Sequence, residues 1–475
     1  MPSNPLAPSW LAVPNDANEL PRAVWSRGAR RTSSGEVEIA GVSVSAIVAE
    51  FGTPVYVVDQ ADAVARAREI REAFDRELAR VGSTAKVYYA GKAFLCTEVA
   101  RWVTAEGLNI DLSSGGELAV ALAAGVDPAR LGLHGNNKSL AEIDRAVRVG
   151  IGAIVIDSAV EIERVAEAAV RHDRIQAVRL RINSGVHAST HEYLATARED
   201  QKFGIPLADA AALVARIRSR PSLRFLGLHS HIGSQIFESD GFAEAAKRLF
   251  ALHAELLKDG PVPELNLGGG FGIAYSSADE PMPVAELAAR FADIVAEGAA
   301  EHGVPVPLIA VEPGRTIIGP STATLYTVGT IKDVLVDGIA VRKYVSVDGG
   351  MSDNIRPSLY GADYSARIVG RSSDAPPALI RVAGKHCESG DILVHADYVP
   401  GDVTVGDLLA IPATGAYGWA MASNYNYLAR PPVVAVLDGV ARLIIRGETE
   451  EDLLSRDVGV RDFAGHDLNQ RESKW

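Results

Sequence analysis

Cysteine is nearly absent: Cys96 and Cys387 are the two in a chain of 475 residues. Two thiols cannot build a disulfide framework, so a reducing, cytoplasmic setting is expected. Positive charge is short as well, with 47 Lys and Arg against 60 Asp and Glu, a net charge of -13. That balance argues against a general affinity for nucleic acid, because a phosphate backbone needs clustered cations. No apolar run approaches the roughly 20 residues that cross a bilayer, so no membrane partner is expected. The N-terminus lacks a basic stretch followed by a long apolar one, so an ordinary secretory signal is not expected. Arg30-Arg31 superficially suggests a twin-arginine signal, but two glutamates and no apolar core follow it.

What is present is a globular composition, 47% apolar and 23% charged, in a chain long enough for one large barrel and a smaller domain. Residues 1–20, rich in Pro, Asn and Ser, read as a flexible tail. From residue 59 to 320, short β-branched runs alternate with segments of helical period. Strands are expected at 86–89, 109–112, 130–134, 153–157, 177–183, 224–231, 264–267 and 308–312. Eight such βα units closing on themselves make a TIM barrel. From 321 to 457 strands dominate, punctuated by Gly, Asp and Pro, and an all-β domain is expected. Residues 21–58 are expected to join it, and 458–475 to form a C-terminal tail. The fold class is therefore α/β, a (β/α)8 barrel with a C-terminal all-β domain of Greek-key or sandwich type.

Barrel active sites lie at the C-terminal ends of the strands. The first strand is followed by Lys92, the second carries Asp111 near its end, and the third leads to His134-Gly135-Asn136-Asn137. The sixth ends in His229-Ser230-His231, with Ser234 just beyond. The seventh runs into Gly268–Gly270 and the eighth into Glu312-Pro313-Gly314-Arg315. A lysine just past a buried strand would be partly desolvated, which lowers its pKa and frees an amine for a Schiff base. Taken alone, a solvated surface lysine is the commoner case. Glycines after the last two strands suit close approach of backbone N–H groups to a phosphate, though two tight turns would look the same. Glu312 could keep a pyridine nitrogen protonated, or pair with Arg315 as a structural ion pair. His229 and His231 fit a metal pair, a ring stacked on a flat cofactor, or buried core histidines.

The segments YYAGKAF (88–94), LHGNNKS (133–139), HSHIGSQ (229–235), LGGGFG (267–272), VEPGR (311–315), SDNIRPSLYGA (352–362), GKHCESGD (384–391) and TGAYGWAMASNYN (414–426) occur in this order. Together they resemble the fold-type III PLP-dependent decarboxylases, with the closest likeness to the diaminopimelate decarboxylases. The resemblance implies pyridoxal 5'-phosphate as cofactor and no metal. It implies that Lys92 holds the cofactor, His231 stacks on its ring, Glu312 protonates the ring nitrogen and Asp111 tunes the site. Ser234, Gly269, Gly270, the backbone of Gly314 and Arg315, and Tyr417 would bind the phosphate. Arg315, Arg356 and Tyr360 would grip the substrate's distal carboxylate, with Tyr417 alongside. Cys387, as proton donor, and Glu388, as acceptor of the distal ammonium, would come from the partner subunit of a homodimer. The plain alternative for Cys387 is a small buried hydrophobe, but its setting between His386 and Glu388 in a loop of the β domain argues for exposure. The reaction implied is decarboxylation of meso-2,6-diaminopimelate to L-lysine, the last step of lysine synthesis by that route. A planar arginine such as Arg356 suits a second carboxylate, whereas ornithine ends in a bare ammonium. The same chemistry on ornithine, arginine or a carboxylated polyamine, a metal-dependent hydrolase using the His-x-His pair, and a non-catalytic relative are the alternatives.

Overall fold

The computed structural model describes residues 4–186, 202–338 and 340–460. Eight parallel strands close into a barrel: Ala85–Ala90, Asn109–Leu112, Leu131–Leu133, Ala153–Ile156, Gln176–Asn183, Leu223–His229, Glu264–Asn266 and Leu308–Val311. Closure is made where the eighth strand pairs with the first, Ile309 opposite Ala85. All of Leu131–Leu133 and Ala153–Ile156 is buried, as continuous apolar runs require when helices cover one face and the barrel interior the other.

The intervening helices carry their own start and stop signals. Leu140–Val149 begins at a capping box, in which Ser139 and Glu142 each accept from the other's backbone N–H. It ends at Gly150, whose left-handed φ of 80° only glycine adopts cheaply. Ala159–Arg171 turns Ile162, Val165, Ala166 and Ala169 onto the barrel.

The second domain is built on a nine-stranded sheet with its own apolar core. Its longest strand, Thr322–Val336, pairs first with Val55–Asp59 and Leu408–Pro412, and then with Ala340–Val347. Val55–Asp59 lies in the middle of this sheet, between Thr322–Val336 and Val433–Leu437. The chain therefore builds part of the β domain before it builds the barrel. Ahead of it, Ala29–Arg31, Val37–Ile39 and Val42–Ser43 form a separate three-stranded sheet.

One expectation is corrected here. Residues 4–20 are not a loose tail. Leu11 is buried against Leu379, Ala396 and Tyr398, with Leu6, Ala7, Trp10 and Val13 packed around them. Composition suggested a tail because the segment has no periodicity, and the surface it covers belongs to strands more than 360 residues away. At the other end, Glu450–Leu454 is a helix started by a Thr449–Asp452 capping box, and 461–475 of the expected C-terminal tail lie outside the described residues.

A stability prediction arises in the helix Asp240–Leu257, where His253 is buried with its ring 5.9 Å from Phe250. Desolvation pushes its imidazole down to about 4, against roughly 6.5 in an unfolded chain. Between those values the unfolded chain takes up a proton that the folded one refuses. Stability is thus whole above the unfolded value and is lost as pH falls towards 4. Urea midpoints measured at about pH 7 and about pH 5 should fall on acidification, and His253→Phe should fall less steeply. Equal slopes for the two proteins would contradict this.

Candidate active site

Just past the first barrel strand, the single turn Gly91–Ala93 carries Lys92 to the barrel mouth. Lys92 lines two cavities, an inner one of about 450 Å³ and an outer one of about 730 Å³. The partial desolvation expected of this lysine is not found: Lys92 is exposed in the single chain. The strand end is buried, but the turn that follows swings the side chain into the open space between the cavities.

The inner cavity is lined by Asp111, His134, Arg181, His229, His231 and Glu312. Glu312 accepts a hydrogen bond from Asn266 Nδ2 at 2.8 Å, and His229 Nε2 stands 2.9 Å from its Oε1. His134 Nε2 lies 3.0 Å from Asp111 and 3.6 Å from Glu312, its ring set edge-on to that of His229. Arg315 is not the partner of Glu312, so the structural ion pair considered above does not form. The two residues leave the eighth strand in different directions, Glu312 into the barrel and Arg315 towards the β domain.

Burial sets the charges. It pushes His134 down to about 3 and His229 to about 4, and holds His231 well below its usual value, so all three imidazoles are neutral at neutral pH. Desolvation also drives Asp111 far up, with the charge of Glu312 adding to it. Glu312 feels the same desolvation, but the pull of His229, His134 and His231, which take up protons as pH falls, and the hydrogen bond from His229 outweigh it and hold its carboxyl well down. Of two neighbouring buried acids, one is an anion and the other holds a proton.

Asp111 Oδ2 and His229 Nδ1 are buried with no hydrogen-bond partner, and the close approaches of His134 Nε2 to Asp111 and of His229 Nε2 to Glu312 are not aligned as full hydrogen bonds. Orphaned groups of this kind are costly and mark a place where a polar ligand completes the bonding. His134, His229 and Glu312 bring three ligand-type atoms within 4.8 Å. The expected pair His229 and His231 does not share that spot, because His231 Nδ1 faces the Gly269 N–H at 3.4 Å. A flat heteroaromatic ring with a protonated nitrogen suits this donor set, one anionic carboxylate beside neutral imidazoles.

Between the cavities the glycines have no room for a side chain. A Cβ on Gly269 would stand 2.0 Å from the Glu312 carbonyl, and one on Gly270 would stand 2.1 Å from that of Gly233. Gly270 also has a φ of +102°. These residues draw the loops after the sixth, seventh and eighth strands into one cradle, which a Cβ would fill. Gly314 lies against Ala90 and Ala93 in the same way.

The outer cavity holds two buried arginines. Arg315 donates to Ser234 Oγ at 2.7 Å and to the Tyr275 hydroxyl, and its guanidinium sits 4.7 Å from the Tyr417 ring centre. Arg356 donates to the Tyr364 hydroxyl at 2.5 Å and lies over Tyr275. Among the described residues neither arginine has a carboxylate partner. Buried cations without a counter-ion imply an anion that arrives from outside. Tyr360 lines the same cavity and is 64% exposed.

Cys387 and Glu388 stand apart. Both are exposed and line neither cavity of their own chain. Their loop is firmly held, since the His386 and Met351 N–H groups both donate to Asp391 and His386 Nε2 meets Ser352 Oγ at 2.9 Å. Cys387 is thus not a buried hydrophobe.

Sequence reasoning did not assign His134, Arg181, Asn266 or Tyr275. His134 stands at a strand end, where a role could have been sought. Asn266 and Tyr275 carry no motif signal and acquire their places through closure of the barrel and docking of the β domain.

The sequence pattern of the family described as "Pyridoxal-dependent decarboxylase, pyridoxal binding domain" matches residues 64–319. The diaminopimelate decarboxylase of Mycobacterium tuberculosis (strain ATCC 25618 / H37Rv) is 51% identical over 452 residues, covering 94% of this chain and 100% of that protein. That of Bacillus subtilis (strain 168) is 42% identical, covering 90% and 97%. Among solved structures, the diaminopimelate decarboxylase of M. jannaschii in complex with L-lysine superposes with a TM-score of 0.83 at 29% identity, over 91% of this chain and 98% of that one.

Proposed function

The chain belongs to the diaminopimelate decarboxylase family of pyridoxal-dependent decarboxylases, and from that premise we propose how its two joined cavities convert meso-2,6-diaminopimelate to L-lysine and CO2. It is a carboxy-lyase that uses pyridoxal 5'-phosphate. The observation that carries the reading is Lys92 standing between a pocket with one ionised carboxylate and a pocket with two unpaired buried arginines.

When bound, pyridoxal phosphate supplies an aldehyde that attaches amines and a protonated ring that takes up the electron pair left by departing CO2. Lys92 would hold the cofactor through its amine. Glu312, its carboxyl held well down, would keep a proton on the ring nitrogen, and Asp111 beside it would adjust the local charge. His231 would be the residue that stacks on the ring. Ser234, Gly269, Gly270, the backbone of Gly314 and Arg315, and Tyr417 retain the phosphate. Arg315, Arg356 and Tyr360 grip the distal carboxylate.

Cys387 returns a proton to the α-carbon and Glu388 receives the distal ammonium, each from the partner subunit of a homodimer. The exposure of both residues on a rigid loop, away from their own cavities, supports this arrangement. Two free thiols suit a cytoplasmic enzyme.

The second carboxylate decides the substrate. Diaminopimelate offers one to Arg315 and Arg356, whereas ornithine would leave both guanidinium groups buried and unpaired. Purified protein supplied with pyridoxal phosphate should release L-lysine from meso-diaminopimelate faster than putrescine from ornithine. Preference for ornithine would overturn the assignment. Arg356→Leu should lower kcat/KM for diaminopimelate by about 2–4 kcal/mol, roughly 30- to 1000-fold, as truncation of a buried charged contact does. Its effect on ornithine should be far smaller, and equal losses on both would contradict the role.

A further inference from the structure

The outer cavity has a wall that no motif announces. Trp10 lines it together with Lys92, Arg315, Arg356 and Tyr360. The segment carrying Trp10 is fastened along its length to the β domain. Asn4 Nδ2 donates to the Val341 carbonyl at 2.9 Å, and Arg342 donates to the Leu6 carbonyl at 2.8 Å. Asn18 makes a reciprocal pair with the backbone of Ser373, at 2.9 and 3.0 Å. Arg31 and Arg367 donate to the carbonyls of Asn18 and Glu19. Between these anchors Leu11 is only 8% exposed on the apolar patch of Leu379, Ala396 and Tyr398.

We infer that Trp10 is a positioning residue of the substrate site, with residues 4–20 acting as a strap that sets its indole as the outer wall of the cavity. This rests on the substrate assignment above. An indole covers much apolar area while freezing only two side-chain torsions. Placed in the same cavity as two buried guanidinium groups, it excludes water and strengthens their hold on a carboxylate. The methylene chain between the two amino-acid heads of diaminopimelate supplies the apolar surface that such a ring packs against. Because Trp10 reaches the cavity from the β domain side, it touches the substrate's distal half and leaves the reacting carbon to the barrel.

The test uses the full-length holoenzyme with Trp10→Ala and Trp10→Phe. In Trp10→Ala, KM for meso-diaminopimelate should rise roughly tenfold while kcat changes less than about twofold, and Trp10→Phe should recover most of the loss. Cofactor absorbance should stay unchanged in both. Adding L-lysine should alter the tryptophan emission of wild type but not of Trp10→Phe. If Trp10→Ala does not fold, that emission comparison decides alone, and an equal change in both proteins overturns the inference. Wild-type turnover with an unchanged KM in Trp10→Ala overturns it too. A wild-type chain that releases no lysine at all would sink the substrate reading itself, and this inference with it.

Discussion

Lys92→Ala is expected to lose turnover by on the order of 10^3-fold or more, because no other side chain replaces an attaching and releasing amine. The variant is also expected to stay folded. Lys92 is exposed and stands at the meeting of two open cavities, and such positions change stability by about 0.5 kcal/mol or less. Loss of activity with an unchanged urea midpoint therefore isolates chemistry from folding. Borohydride reduction followed by peptide mapping supplies the second reading. Label should be found on the peptide containing Lys92 in wild type and be missing from the variant. Label on another lysine, or a variant that turns over normally, would remove the centre of the scheme.

Glu312→Gln is expected to cost about 10^2- to 10^3-fold in kcat, the usual scale for removing one preorganised charge at the site where charge develops. The substitution preserves shape. The new amide oxygen can still accept from Asn266 Nδ2, which now donates to the carboxylate at 2.8 Å. What disappears is the negative charge proposed to face the ring nitrogen. The three imidazoles around it cannot serve instead, since burial keeps them unprotonated. Asp111 is a poor substitute, because desolvation keeps a proton on it even though the push from Glu312 would be gone. The absorbance of the bound cofactor should shift along with the rate. A fully active Glu312→Gln with unaltered spectrum would show that the ring nitrogen needs no anion.

Much of the site was legible because barrel chemistry collects at strand ends, and strand ends can be found from periodicity. Lys92, Asp111, His231 and Glu312 were each picked by standing just after, or at the end of, an apolar run. Partnership was harder to read. Glu312 and Arg315 are three residues apart, and nothing local says that one faces His229 and Asn266 while the other faces Ser234 and Tyr275. The exposure of Lys92 is hard to read for a similar reason, since burial of the strand end says little about the turn that follows.

The sequence by itself determined the eightfold alternation, the glycine cradle and the set of groups at the barrel mouth, because each is recorded within a few residues by period, residue size or allowed φ. Only tertiary structure decided that Val55–Asp59 lies inside the β sheet, that residues 4–20 form a strap, and that Trp10 meets Lys92 and Arg356 in one cavity. Those contacts join stretches far apart in the chain. What stabilises them is the apolar area and hydrogen bonding that the two surfaces share, a property of the pair that neither segment carries alone.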